Sequence, residues 1–476
     1  MAEDTFVVDR LIALKHAYGD VGAQPFDIRD DRSCSYRVLA NLIMLEQIGD
    51  DLEREGRRTN RALLTEYAAG DGLATDLRRD VLNALCVDDA SQAALSALVG
   101  RCVAGTRWGT LAAAPNARAA QAHAELLRRM EDRYRAVCAD GPPTSAAGMP
   151  QIDLAALADH LGDGEPARLR VLHMVNGGYS KVTIICELER RGQPARKVVV
   201  RSDAGLAFAG TSVLDEYPVL QALHAAGVAV PAPIWAGRLS DDMLPLLVVE
   251  FAEGSPFGSP AAAEVRNEAL CRDMAAKLAR IHGVDPALLG RVEGDGAAHN
   301  RAAVARELDA KSAQMQALDR PMPLLEYALA WLRNGIAVVG GSIAIVHGDY
   351  APHNLLAVGD EVRAILDWEF VKLGNPAEDL CFGRLAIEEL GGWDLFVAAY
   401  EAAGGSRPSD DEVRFYTVFS LYRLCVMMMR TETVLKDSSA KPIRMATPGA
   451  ERLRPTLLKL AALLDLDVAG KADHAG

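Results

Sequence analysis

A chain of 476 residues is too long for one compact core, and its formal net charge of −14 argues against partnership with a nucleic-acid backbone or an anionic membrane. Half of the residues are apolar and 24% are charged, the balance of an ordinary globular protein rich in helix. The eight cysteines stand singly with no C-x-x-C pair, which argues against a metal cage or a disulfide framework and fits reduced thiols in the cytoplasm.

Residues 1–140 read as helix throughout. In the stretch SYRVLANLIMLEQIGDDLEREG, Val38, Leu39, Leu42, Ile43, Leu45 and Ile48 recur at helical spacing. Further helices are expected around Thr75–Leu85, Ala90–Ala104 and Ala117–Cys138. No clustered His, Cys or paired carboxylates occur there, so the region is expected to bind a protein partner or self-associate. Residues 141–150, GPPTSAAGMP, have the composition of a linker.

From residue 151 the character changes. A short helix near Ile152–Leu161 leads into RVLHMVNGGYSKVTIICELER, two β-branched strands around a glycine turn. KVVVRS reads as a third strand, VLDEYPVLQALHAAG as a helix, and PLLVVEFAEG as another strand, ending this block near residue 254. Residues 255–476 return to helix, interrupted at 341–371 by short strands carrying loops. The N-terminal MAEDTFVVDR lacks the order of a signal peptide, and the apolar stretches Leu244–Phe251 and Leu424–Met429 are far too short to span a bilayer.

The chemistry is concentrated in His-Gly-Asp-Tyr-Ala-Pro-His-Asn at 347–354 and in Ile-Leu-Asp-Trp-Glu, where Asp367 follows Asn354 by thirteen positions. Phosphoryl transfer needs a base for the proton of the attacking hydroxyl, and oxygen ligands to hold magnesium against the phosphates. An Asp with an Asn five residues on in one loop sets Asp349 as base beside Asn354 as ligand, and Asp367 at the end of the next strand completes the metal site. The H-x-D-x4-N…D arrangement matches the catalytic and metal loops of the protein-kinase-like fold. In the form H-G-D-x-x-x-x-N-L with I-L-D-W-E it resembles the aminoglycoside phosphotransferase family, over residues 151–465.

That resemblance implies an α+β, bilobal protein-kinase-like fold. Its small antiparallel sheet lobe would be residues 151–254 and its helical lobe, with the catalytic and metal loops, residues 255–476. An all-α accessory domain, 1–140, would precede them. It further implies that Asn176-Gly177-Gly178-Tyr179-Ser180 turns over the nucleotide phosphates, where glycines admit backbone N–H groups. Arg201 falls where the family carries a phosphate-gripping Lys; a guanidinium is always charged and offers a planar fork of donors. Glu216 stands where the family places the carboxylate that orients this cation. Glu250 and Ala252 would meet adenine through their backbone. His282, Asp285 and Asp379 are read as scaffold, and His347 as support for the loop. His353 is left open between a phosphate contact and packing.

The helix RFYTVFSLYRLCVMMMR is similar to the subgroup of kinase-like domains associated with acyl-CoA dehydrogenases, which also tends to carry Arg at the position of Arg201. The window Arg430–Lys459 holds seven basic and three acidic residues, suited to a phosphorylated acceptor or simply to a solvated helix face. The reading is therefore a kinase using Mg2+ and ATP on a small-molecule hydroxyl, with a hydroxyacyl-CoA-type acceptor favoured over an aminoglycoside-like one. A nucleotide-binding pseudokinase serving as an assembly module is the alternative. It draws on Arg201 in place of Lys and on the added helices, and the intact Asp349, Asn354 and Asp367 count against it. A third reading makes His347, Asp349, His353 and Asp367 ligands of a metallohydrolase, and leaves Asn354 and the glycine turn without a role.

Overall fold

The computed structural model describes residues 52–69, 73–87, 92–105, 113–137, 152–175, 181–203, 211–241, 243–257, 266–290, 295–318, 322–437 and 452–466. The helix expected over residues 38–48, the linker 141–150, the glycine turn 176–180 and much of the basic window lie outside them. The helices are α1 (52–69), α2 (Thr75–Leu85), α3 (Gln92–Gly105), α4 (Ala113–Val137), α5 (Leu154–Gly162), α6 (Val213–Ala225), α7 (Glu268–His282), α8 (Gly296–Ala317), α9 (Pro323–Gly335), α10 (Ala377–Phe382), α11 (Arg384–Leu390), α12 (Trp393–Ala402), α13 (Asp410–Asp437) and α14 (Leu453–Leu463). The strands are β1 (Ala167–Val175), β2 (Lys181–Arg190), β3 (Arg196–Asp203), β4 (Pro233–Gly237), β5 (Leu246–Glu250), β6 (Ser255–Pro256), β7 (Ala344–Val346), β8 (Leu355–Val358), β9 (Glu361–Ile365) and β10 (Lys372–Gly374).

Packing divides the chain into two units. In the first, the helices before residue 138 pack with residues 304–337 and 418–466. Its core is Leu63, Leu64, Tyr67, Val81, Leu95, Val99 and Cys102, with Tyr327 of α9 against it. Helix α9 packs on α3 and α4, and α14 packs on α4. Arg454 of the basic window is buried here beside Glu131, 3.5 Å away. Apolar stripes pair wherever they meet, so packing divides the chain differently from boundaries drawn in chain order.

The second unit holds residues 147–303 and 338–417. It carries a five-stranded antiparallel sheet in the order β1-β2-β3-β5-β4. Strand β5 is a continuous apolar run because both its faces are covered. Leu246 and Val248 join Ile184, Cys186, Leu188, Val198 and Val200 in a core closed by Leu157 and Leu161 of α5. Leu247 and Val249 point the other way, into a larger core with Val213, Leu220, Met274, Leu278, Tyr350, Ile365 and Trp368. The strand period of two thus decides which β3 residues face that larger core. Val198 and Val200 face α5, while Val199 packs on the larger core and Arg201 shares its parity.

Helix α6 begins at a capping box. Ser212 accepts the N–H of Leu214, and Asp215 accepts the N–H of Ser212. Two small sheets, β7 with β10 and β6-β8-β9, frame the loops that follow. Among the described residues no helix is long and apolar enough to cross a membrane.

Leu247 of β5 is fully buried in the larger core. Leu247→Ala is expected to cost about 2–5 kcal/mol, read as a lower urea midpoint with an unchanged m-value.

Candidate active site

The loop after β7 is built around a buried carboxylate. Asp379, in the first turn of α10, accepts the backbone N–H of His347 at 2.7 Å and of Gly348 at 2.8 Å. His282, the last residue of α7, places Nε2 3.1 Å from the same carboxylate, and its Nδ1 meets the Tyr400 hydroxyl at 2.7 Å. Burial works against an ionised Asp379. The hydrogen bond and charge of His282, with His347 adding to them, outweigh burial and hold the carboxyl below the usual carboxylate range. Gly348 sits at φ +81° with its α-carbon pressed on Phe370, whose carbonyl oxygen would lie 2.6 Å from an added Cβ. Only glycine fits that position.

His347 then passes the order along. Its Nδ1 accepts the N–H of Asp349 at 3.2 Å, and its Nε2 lies 2.9 Å from the Leu366 carbonyl. These partners place the proton on Nε2 and occupy both ring nitrogens, which removes His347 as a metal ligand. Asn354 donates from Nδ2 to the Asp349 carbonyl at 3.0 Å, and its own carbonyl accepts the N–H of Leu366 at 2.8 Å. Asp349, Asn354 and the residue before Asp367 are thereby joined through direct hydrogen bonds. Asp367 itself adopts the left-handed backbone region at φ +64°, which Asp tolerates better than most side chains. Trp368 anchors the next step, buried, with Nε1 donating to the Ile365 carbonyl.

Arg201 reaches this site from β3. One arm of its guanidinium pairs with Glu216 of α6, and Nη2 donates to Asp367 Oδ1 at 2.7 Å. Burial opposes the guanidinium charge, and Glu216 and Asp367 outweigh it, so Arg201 is held well above its usual range and stays charged. Glu216 is 1% exposed, and one of its oxygens, Oε1, is buried without a hydrogen-bond partner among the described residues.

The remaining expected positions are placed as follows. Glu250 ends β5; its side chain lies 3.4 Å from Arg196 on the surface and its N–H donates to the Ala232 carbonyl. Ala252 follows just beyond β5 and is half-buried. Gly177, Gly178, Tyr179 and Ser180 lie outside the described residues. On the strand of Arg201, Lys197 lies 3.6 Å from Glu253 and over the ring of Phe251. His353 is 60% exposed with Nε2 3.6 Å from Asp349, beyond hydrogen-bond range. Among the described residues no group of three or more His, Cys, Asp or Glu is arranged to hold a metal.

Two features escape sequence reading. Lys181, the first residue of β2 after the glycine turn, is buried with Nζ 2.7 Å from Asp203 and bonded to the Thr211 carbonyl. Asp203 also accepts from Ser212 Oγ and from the N–H of Val213, tying the turn's exit strand to the start of α6 and so to Glu216. Lys181 and Asp203 are cross-strand partners, a register that spacing along the chain does not reveal. Tyr400 is the second feature, and only the packing of α12 on α7 brings it to His282.

The model of the phosphotransferase enzyme family matches residues 172–416, just over half of the chain and the whole segment from β1 to α13 that carries these groups. The chain belongs to that family. Among curated relatives, acyl-CoA dehydrogenase family member 10 of Mus musculus is 29% identical over 219 residues, covering 44% of this chain and 20% of the relative. Acyl-CoA dehydrogenase family member 11 of Gallus gallus is 29% identical over 229 residues, covering 46% and 28%. The chain thus spans between a fifth and three tenths of the length of these relatives. A crystal structure from Ralstonia eutropha, described as an aminoglycoside phosphotransferase, superposes with a TM-score of 0.50 at 21% identity, over 66% of this chain and 99% of that one. The fold is the kinase-like one, an antiparallel sheet followed by helices and short loop-bearing strands.

Gly348→Ala is expected to destabilise the chain by roughly 1–3 kcal/mol, combining left-handed strain with contact against backbone, as read by denaturant unfolding. Asp379→Asn removes an ionised acceptor from two amides and is expected to cost about 2–4 kcal/mol at pH 7. Because the folded-state pKa of Asp379 is depressed, its stabilisation is present above the ordinary carboxylate range and lost as pH falls through the depressed value. The gap between wild type and Asp379→Asn should therefore stay level from pH 8 to pH 5 and close only in stronger acid.

Proposed function

We propose that this chain is a Mg2+-dependent kinase that transfers the γ-phosphate of ATP to a hydroxyl of a small molecule. The observation that carries the reading is the joining of Asp349, Asn354 and the Asp367 turn through direct hydrogen bonds, with a partly buried, charged Arg201 arriving on Asp367. In this reading the Asp349 carboxylate takes the proton as the acceptor oxygen forms its bond to the γ-phosphorus and the bridging oxygen leaves with ADP. Arg201, oriented by Glu216, grips the phosphates, and the glycine turn 176–180 covers them with backbone N–H groups. Glu250 and Ala252 present main-chain groups to adenine.

The donor set suits a hard cation. Asn354 commits its amide nitrogen to the Asp349 carbonyl, which leaves its oxygen as the ligand atom, and Asp367 adds a carboxylate. Mg2+ is commonly held by one or two such protein oxygens together with substrate phosphates and water. When bound, the ion would neutralise phosphate charge as it shifts to the leaving group.

For the acceptor, a hydroxyacyl-CoA-type alcohol is favoured. Relatives that carry acyl-CoA dehydrogenase names match 44% and 46% of this chain, and an aminoglycoside-like polyol is the competing class. Arg454 is buried beside Glu131, so it is not among the cations offered to such an acceptor. A cytoplasmic setting fits the free cysteines among the described residues. The pseudokinase reading is favoured by one observation, the Arg201–Asp367 ion pair, which occupies an oxygen of the metal-side carboxylate.

ADP release with Mg·ATP across a panel of hydroxyacyl-CoA thioesters and aminoglycosides tests the proposal. One acceptor class should stimulate release, and Asp349→Asn should lower that turnover by roughly 10²–10⁴-fold while leaving nucleotide binding in place. Bound nucleotide without turnover on any acceptor, or a fully active Asp349→Asn, would sink it.

A further inference from the structure

We infer that Arg201 is a latch on Asp367: without nucleotide it holds a carboxylate oxygen that the divalent cation needs, and it releases that oxygen when phosphates draw the guanidinium away. The inference rests on the proposed roles of Arg201 and Asp367, and it concerns the order in which nucleotide and cation bind.

Three observations carry it. The first is the fork itself. The two arms of Arg201 engage carboxylates on different elements, Glu216 of α6 and Asp367 after β9, and Nη2 sits 2.7 Å from Asp367 Oδ1. The guanidinium offers the two carboxylates separate nitrogens of one rigid planar fork, whereas a lysine would have to reach both from a single ammonium nitrogen. The second is the geometry of Asp367. Its backbone is set at φ +64°, while its side chain remains 32% exposed, so one oxygen is taken by Arg201 and the carboxylate is still open toward solvent.

The third observation is Oε1 of Glu216, buried and without a partner among the described residues although its sister oxygen is bonded to Arg201. A buried acceptor left unpaired is costly, and it sits on the residue that already holds the guanidinium. It is a ready seat for the N–H that Asp367 would give up. Arg201 then has two arrangements. In one it bridges Glu216 and Asp367. In the other it closes on both oxygens of Glu216 as a parallel, bidentate pair, and turns its remaining donors to phosphate. The second arrangement frees Asp367. Nucleotide and cation should therefore bind with positive coupling, and coupling between two ligands is reciprocal.

Mn2+ is the probe, with free ion counted by electron paramagnetic resonance in titrations of the full chain. Without nucleotide, Arg201→Gln should bind Mn2+ about 10-fold more tightly than wild type, within the range usual for coupled sites, and adding Asp367→Asn should erase the gain. Arg201→Lys keeps a cation beside Glu216 and guards against a variant that fails to fold; it should tighten Mn2+ binding by a smaller factor. Mn2+ affinity unchanged or weakened in both folded Arg201 variants overturns the latch. The underlying site reading fails separately, if Asp367→Asn leaves binding of Mn2+ with ATP unaffected in the otherwise wild-type chain.

Discussion

Asp379 has no exposed surface, and a lone carboxylate in that setting would take up a proton to escape the cost of buried charge. It stays ionised because the amides of His347 and Gly348 and the ring of His282 all point at it. The consequences run outward along the loop. Two consecutive amides fixed on one charge orient the His347 ring, whose two nitrogens fix the amide of Asp349 and the carbonyl of Leu366. The two segments that carry the proposed base and the proposed metal carboxylate are thus held in register by one imidazole. Behind them, Tyr350 sends its hydroxyl to the Met274 carbonyl and Trp368 fills the same core, so the loop is backed by packed rings.

The sheet meets this loop through a different balance. Glu216 and Asp367 are both acidic and both reach Arg201, and without the guanidinium between them their charges would oppose one another in a poorly solvated space. The guanidinium answers both at once, so the sheet and the loop share one cation. Its position follows from strand parity on β3, where Arg201 stands on the face of Val199. The position of Glu216 follows from the capping box at Ser212 and from the Lys181–Asp203 pair, which fix where α6 starts. Local rules at three places therefore converge on one ion-paired triad.

Much of this was legible beforehand. The helix at Thr75–Leu85 and the strands around KVTIICELER and KVVVRS follow from apolar periods of 3.6 and 2, which depend only on near neighbours. The loop chemistry was equally local, since Asp349 and Asn354 lie five residues apart and Asp367 follows Asn354 by thirteen positions. Strand β4 was not read at all. It is five residues long, begins at Pro233 and lies at the edge of the sheet, so it has neither the length nor the alternation that marks a strand.

By itself, then, the amino-acid order determined the element types, the residue chemistry of the loops and the likeness to a phosphotransferase, because those depend on side-chain identity over a few positions. Tertiary structure alone decided that Arg201 pairs with an Asp 166 residues away, that Lys181 faces Asp203, that Tyr400 caps the His282–Asp379 pair, and that residues 304–337 and 418–466 pack with the N-terminal helices. Each of those depends on sheet register or on helices meeting in three dimensions. Spacing along a chain carries no distance information once the separation exceeds a single element.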